Sequence, residues 1–198
     1  ILLKPFVKIC GLTERRHVET AIEAGADAIG FVFADSVRQI SIREAIKVTQ
    51  NIPSHVIRVA VMLHPKKQEC ECIVKLFKPD VIQSDASDFE YLEIPSDIEI
   101  WPVFRENQAI IDPPDNKKFI YEGKNSGHGE RVDWHRAASI AKKGDLILAG
   151  GLNRENVGNA ISLVRPFGVD VSSAVETEPG KKDNDKIKAF IKAAKICG

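Results

Sequence analysis

The feature that most constrains this chain is an alternation. Short runs of apolar and β-branched residues are followed, from one end to the other, by longer amphipathic stretches. Apolar runs of strand length separated by 3.6-period segments are the form that repeated βα units around a parallel sheet take in a sequence. Phe6 to Cys10 reads as a strand, with Thr13 as the N-cap of a helical pattern through Val18, Ala21, Ile22 and Ala24 that stops at Gly25. Ala28 to Phe33 is a second strand, followed by a helix over Ile42 to Gln50 with Ser41 and Glu44 placed as a capping box. Ile57 to Leu63 precedes a helix over Lys67 to Phe77, and Val81 to Gln83 precedes a short helix over Asp88 to Leu92. Glu99 to Val103 and Phe119 to Tyr121 are the next strands, and Pro113-Pro114 between them leaves room for only a turn or two of a fifth helix. The last third is regular: helix Trp134 to Lys142, strand Leu146 to Ala149, helix Glu155 to Leu163, strand Val169 to Val171, helix Asp183 to Lys195.

An open doubly wound sheet shows the same alternation, so the glycines decide. A dinucleotide-binding sheet carries G-x-G-x-x-G after its first strand, whereas here that strand ends Cys10-Gly11-Leu12-Thr13 and the paired glycines, Gly150-Gly151, follow the seventh strand. That is where (βα)8 barrels keep a phosphate site. The reading is an α/β chain, one (βα)8 TIM-barrel domain over residues 1–198 with a shortened fifth helix. At 198 residues it lies near the lower limit for that fold, so its loops must be short.

Lys plus Arg equals Asp plus Glu at 28 each, which supplies no field to concentrate the chain on nucleic acid. No apolar run approaches the ~20 residues of a membrane span, and the first residues have no secretory pattern. Cys10, Cys70, Cys72 and Cys197 form neither a zinc spacing nor a disulfide framework. The expectation is a cytoplasmic protein, monomer or homodimer, with neither nucleic acid nor membrane as partner.

In a barrel, residues at the C-terminal ends of strands converge on one face. Here these are Cys10, Phe33, His64, Asp85, Arg105, Glu122, Gly150-Gly151 and Asp170 to Ala174. Gly150 and Gly151 before Glu155-Asn156-Val157, with Ser172, Ser173 and Ala174 in the neighbouring loop, suit a phosphate; the plainer alternative is that the glycines only permit a tight turn. Cys10 is either a buried small hydrophobe or a base whose thiolate is stabilised near a helix entrance. Glu122 is a solvated loop carboxylate or a proton donor, and Arg38 a surface residue or a clamp for a substrate carboxylate.

These motifs resemble phosphoribosylanthranilate isomerase of tryptophan biosynthesis over nearly the whole chain. The resemblance is carried by Val7-Lys8-Ile9-Cys10-Gly11-Leu12-Thr13, Gly25 to Phe33, Ser36 to Ser41, Ala149 to Val157, Gly168 to Glu176 and Pro179-Gly180-Lys181-Lys182-Asp183. It implies an Amadori rearrangement of N-(5-phosphoribosyl)anthranilate to 1-(2-carboxyphenylamino)-1-deoxyribulose 5-phosphate without cofactor or metal. Cys10 would then be the general base, Glu122 the general acid, Arg38 the partner of the anthranilate carboxylate, Asp85 and Asp170 further substrate contacts, and the two late loops the phosphate site.

The chain departs from that family's pattern in four places. Glu122 stands for an aspartate, one methylene or about 1.5 Å longer. Gln83-Ser84-Asp85-Ala86 stands for Gln-Leu-His-Gly, His128 occupies a shortened glycine loop, and Ala174 replaces a glycine. Clustered departures motivate a second expectation: a catalytically impaired relative that binds a phosphosugar for a regulatory or scaffolding role. A third is another phosphosugar barrel enzyme, such as a sugar-aminoimidazole isomerase, against which Cys10 in the first strand argues.

Overall fold

The computed structural model describes residues 4–109, 111–113, 117–125 and 129–196. Its sheet is a closed barrel in strand order one to eight: β1 (Phe6–Cys10), β2 (Ala28–Val32), β3 (Ile57–Val61), β4 (Val81–Asp85), β5 (Glu99–Arg105), β6 (Lys118–Glu122), β7 (Asp145–Leu148) and β8 (Gly168–Val171). All pairs are parallel, and β1 closes on β8 with Lys8 opposite Asp170. The helices are α1 (Arg15–Glu23), α2 (Ile42–Val48), α3 (Lys67–Phe77), α4 (Trp134–Ile140), α5 (Val157–Val164) and α6 (Asn184–Ile196). Among the described residues no helix is long and apolar enough to cross a membrane.

Side-chain alternation along each strand divides the apolar residues into two cores. Ala28, Val59, Val81, Trp101, Val103, Ile120, Ile147 and Ala149 fill the barrel, while a larger cluster lies between sheet and helices. Phe6 plugs the N-terminal mouth edge-on against the buried Trp101, ring centroids 5.8 Å apart. The barrel is therefore solid at one end, and the polar inward positions Lys8, Cys10, Asp85, Arg105, Glu122 and Asp170 gather toward the other.

Local chemistry explains most boundaries. α1 ends in a Schellman turn: Gly25, at φ +98°, donates to the Ile22 carbonyl at 3.0 Å and Ala26 to that of Ala21 at 2.9 Å. Ser41 and Glu44 form the expected capping box of α2. Thr13 is not the cap of α1: the first carbonyl of that helix belongs to Glu14, which accepts from Val18 at 3.2 Å, so Thr13 lies one residue outside.

The other differences fall where side chains replace helical hydrogen bonds. The segment after β4 is a 3-10 helix at Ala86–Glu90 rather than an α-helix over Asp88 to Leu92. Its Asp88 carboxylate turns in to accept from Ser84 Oγ at 2.5 Å and the His64 amide at 3.0 Å. Between β5 and β6 the described residues contain no helix, not even the expected turn or two. Arg136 of α4 donates instead to the carbonyls of Glu106 and Gln108, and Lys143 to that of Ile111. α5 begins two residues later than expected because Asn153 Oδ1 accepts from the amides of Glu155 and Asn156. After β8, a one-turn 3-10 helix (Ser173–Val175) leads into an antiparallel hairpin, β9 (Glu176–Glu178) and β10 (Lys181–Lys182), that the alternation did not reveal.

Candidate active site

The C-terminal mouth carries two charged clusters and, between them, a pocket. Lys8 and Cys10 are successive inward positions of β1, and Lys8, fully buried, donates to both Asp170 oxygens at 3.0 Å. Gly30 on β2 makes the space: a Cβ there would sit 3.0 Å from the Cys10 sulfur and 3.2 Å from Lys8 Cε. Burial pulls against the Lys8 charge, but Asp170 and Cys10 outweigh it and hold the ammonium charged. Burial pushes the Cys10 thiol up; Lys8 pulls it back, Asp170 adds to the rise and Lys182 opposes it. The cations that favour a thiolate here are the two lysines.

A second layer lies over this one. Arg38, buried in the loop after β2, donates to Glu176 through Nε at 2.7 Å and Nη2 at 2.9 Å, the bidentate geometry of an arginine fork. The Glu176 carboxylate also accepts from Lys182 Nζ at 2.6 Å, and Lys182 reaches the Ser172 carbonyl at 2.9 Å and its Oγ at 3.1 Å. Ser172 Oγ in turn donates to the Cys10 carbonyl at 3.1 Å. The β9–β10 hairpin thereby fastens the loops after β2 and β8 to the end of β1.

Across the mouth, Arg105 at the end of β5 lies between Asp85 on β4 and Glu122 on β6. Its Nε contacts both Asp85 oxygens at 3.1 Å and its Nη2 contacts Oδ1 at 2.5 Å, while Nη1 donates to Glu122 Oε1 at 2.5 Å. Burial pushes the Glu122 carboxyl above the ordinary carboxylate range; Arg105 opposes this and Asp170 adds to it. His64, in the left-handed region at φ +46°, holds Asp88 through Nδ1 at 2.7 Å and turns Nε2 to within 3.7 Å of Asp85.

Glu122, Gly123, Asp170, Gly150, Gly151, Leu152, Ser172 and Ser173 line a small pocket open to solvent. Gly150 and Gly151 have φ of +88° and +65°, and a Cβ on either would strike the backbone of Glu130 or Arg131 within 3 Å. Glycine is required there for the turn itself, and the same turn brings the backbone to the pocket wall. Ala174 faces elsewhere, into a cleft with Asn153, Lys186 and Phe190. Phe33 turns outward onto Phe77. His128 and Cys197 fall outside the described residues.

Cys10, Glu122, Asp85, Asp170, Gly150, Gly151, Ser172 and Ser173 therefore share one mouth, with Arg38 on its rim. Sequence reasoning missed Lys8, Glu176 and Lys182. Lysine in a strand reads as a solvated face, and only its opposition to Asp170 at the barrel seam makes Lys8 a buried cation.

A closed parallel barrel with ionisable groups at the C-terminal ends of β1, β4, β5, β6 and β8 defines the class as a TIM-barrel enzyme. Residues 7–193 match the family described as N-(5'phosphoribosyl)anthranilate (PRA) isomerase, and the chain belongs to that family. It is 39% identical over 204 residues to the N-(5'-phosphoribosyl)anthranilate isomerase of Listeria welshimeri, covering 96% of this chain and 98% of that one. A phosphoribosyl anthranilate isomerase solved with reduced 1-(o-carboxyphenylamino)-1-deoxyribulose 5-phosphate superposes with a TM-score of 0.78 at 31% identity, over 96% of this chain and 98% of the other. Monomers of the dimeric enzyme of Thermotoga maritima give a TM-score of 0.77, also at 31% identity and the same coverage.

Proposed function

We propose that the chain catalyses the Amadori rearrangement of N-(5-phosphoribosyl)anthranilate, with Cys10 as general base and Glu122 as general acid. The observation that carries this reading is that the buried Cys10 thiol, beside two lysines, and the buried Glu122 carboxyl stand at the C-terminal ends of β1 and β6, the end of the barrel where Glu122 and Asp170 line a pocket with the glycine and serine loops.

The chemistry needs those two groups in opposite protonation states. Glu122 gives its proton to the ribose ring oxygen, the C1–O bond breaks, and the nitrogen lone pair makes C1 an iminium. The Cys10 thiolate then removes the C2 proton, and the C–H electrons form the enolamine, which tautomerises to the C2 ketone. C1 is reduced as C2 is oxidised, so atoms and electrons balance within the substrate and no external redox partner enters. Gly150, Gly151, Ser172 and Ser173 would hold the phosphate, with Ala174 supporting their loop from behind. Asp170, set by Lys8, would meet the ribose hydroxyls, and Arg38, set by Glu176, the anthranilate carboxylate. Asp85 would border the substrate from the β4 side.

We place the reaction in the cytoplasm, in keeping with free thiols at Cys10, Cys70 and Cys72; a monomer or homodimer is in keeping with the dimeric relative. The test is consumption of the fluorescent substrate by the purified chain. Turnover with formation of the ketose is expected; binding without turnover would instead identify a phosphosugar-binding relative.

A further inference from the structure

We propose that Asp85 is a positioning residue that keeps Arg105 from neutralising Glu122, so that the acid holds its proton until the ring opens. This rests on the reading of Glu122 as the general acid.

Three side chains, all nearly buried, meet in the order Asp85, Arg105, Glu122. A guanidinium edge can grip a carboxylate with two parallel hydrogen bonds, and here the edge formed by Nε and Nη2 is on Asp85. Glu122 receives the remaining Nη1 alone. Register fixes the arrangement, because Asp85 pairs with Val103 and Glu122 with Arg105, placing the two carboxylates on opposite sides of β5. Asp85 is itself held from behind. His64 Nε2 lies 3.7 Å from its Oδ2, and His64 is locked by the buried Asp88, which takes both its ring Nδ1 and its backbone amide. The left-handed backbone of His64, uncommon outside glycine, turns its amide toward Asp88 as well.

The groups that face Glu122 are Arg105 from β5, Lys8 from β1 and Asp170 from β8, with Asp85 from β4 behind Arg105; β7 presents the apolar Ala149. Lys8 is committed to Asp170. Arg105 is therefore the cation whose position decides the protonation of Glu122. With Asp85 in place its charge is shared. Without Asp85 the fork is released to grip Glu122 with two bonds, which favours the ionised carboxylate and removes the proton the reaction needs.

The test is the pH dependence of kcat and KM for Asp85→Asn. The high-pH limb of kcat, where the acid loses its proton, is expected to move to lower pH, each pH unit of displacement lowering the rate on that slope about tenfold, with KM near wild type. The double variant Asp85→Asn/Arg105→Met should bring the limb back to its wild-type position or above it. Where Asp85→Asn does not fold, the single variant Arg105→Met serves, and its limb is expected to move to higher pH. An unshifted profile overturns the inference, as does a change confined to KM, which would make Asp85 a plain substrate contact. If Glu122→Gln keeps wild-type turnover, the acid assignment itself fails; if Glu122→Gln is inactive and Asp85→Asn is unshifted, only the role of Asp85 fails.

Discussion

The two halves of the barrel mouth hold opposite balances of charge. On the β1 and β8 side, Lys8, Lys182 and Arg38 face Asp170 and Glu176, three cations to two carboxylates. On the β4 to β6 side, Arg105 bridges Asp85 and Glu122, one arginine to two carboxylates among the described residues. Burial pushes both Cys10 and Glu122 toward their neutral forms. What separates them is the company each keeps, since an excess of cations eases a thiol toward thiolate while an excess of carboxylates leaves a proton on an acid. Under the proposed assignment of Cys10 and Glu122, one fold prepares a base and an acid a few strands apart by distributing lysines and carboxylates unevenly around the rim.

The sharpest way to break this comparison is to remove each half's reacting group in turn. Cys10→Ala and Glu122→Gln are each expected to lower kcat by about 10² to 10⁴, the usual worth of a positioned acid or base, with unchanged circular dichroism. Near-normal turnover in either variant would strip that half of its role. Next in size, Glu176→Gln leaves Arg38 and Lys182 without their shared counter-ion and is expected to cost about 3–5 kcal/mol in urea unfolding at neutral pH. Burial alone would push the Glu176 carboxyl up, but Arg38 and Lys182 outweigh it and hold the carboxyl low. Its stabilisation is therefore complete above the ordinary carboxylate range and is lost as pH falls through the lowered value, so the gap between wild type and variant should close in acid. A gap independent of pH would show that packing, not charge, is what the variant loses. The smallest effect tests the cation-rich half most directly. Lys182→Met removes a cation that draws the Cys10 thiol down, so the low-pH limb of kcat/KM should move to higher pH while the high-pH limb stays in place. A uniform loss at every pH would mean that Lys182 only holds the hairpin.

The strand and helix pattern was legible wherever periodicity and capping agree. α3 has the expected bounds, and the Ser41–Glu44 box and the Gly25 stop follow from residue chemistry alone. It failed where a helix was replaced by long-range side-chain contacts, as with Arg136 and Lys143 supporting the segment after β5, because no local window contains both partners. The site divides the same way. Cys10, Glu122 and Gly150-Gly151 are visible because a strand end followed by a turn is a local signal. Lys8 is not, since its burial depends on Asp170 at the far end of the chain. Arg38 was visible as a residue, but its engagement by Glu176 depends on a hairpin too short to leave a periodic trace.

The fastening of Arg38 to Glu176 spans 138 positions and that of Lys8 to Asp170 spans 162. Contacts of such separation are late in folding and late in synthesis, since the N-terminal partner leaves the ribosome long before the C-terminal one. During translation Lys8 and Arg38 therefore emerge long before Asp170 and Glu176, and the seam of the barrel cannot close until β8 has been made. The last stretch of polypeptide to be made is the one that turns a row of strands into a vessel with a charged rim.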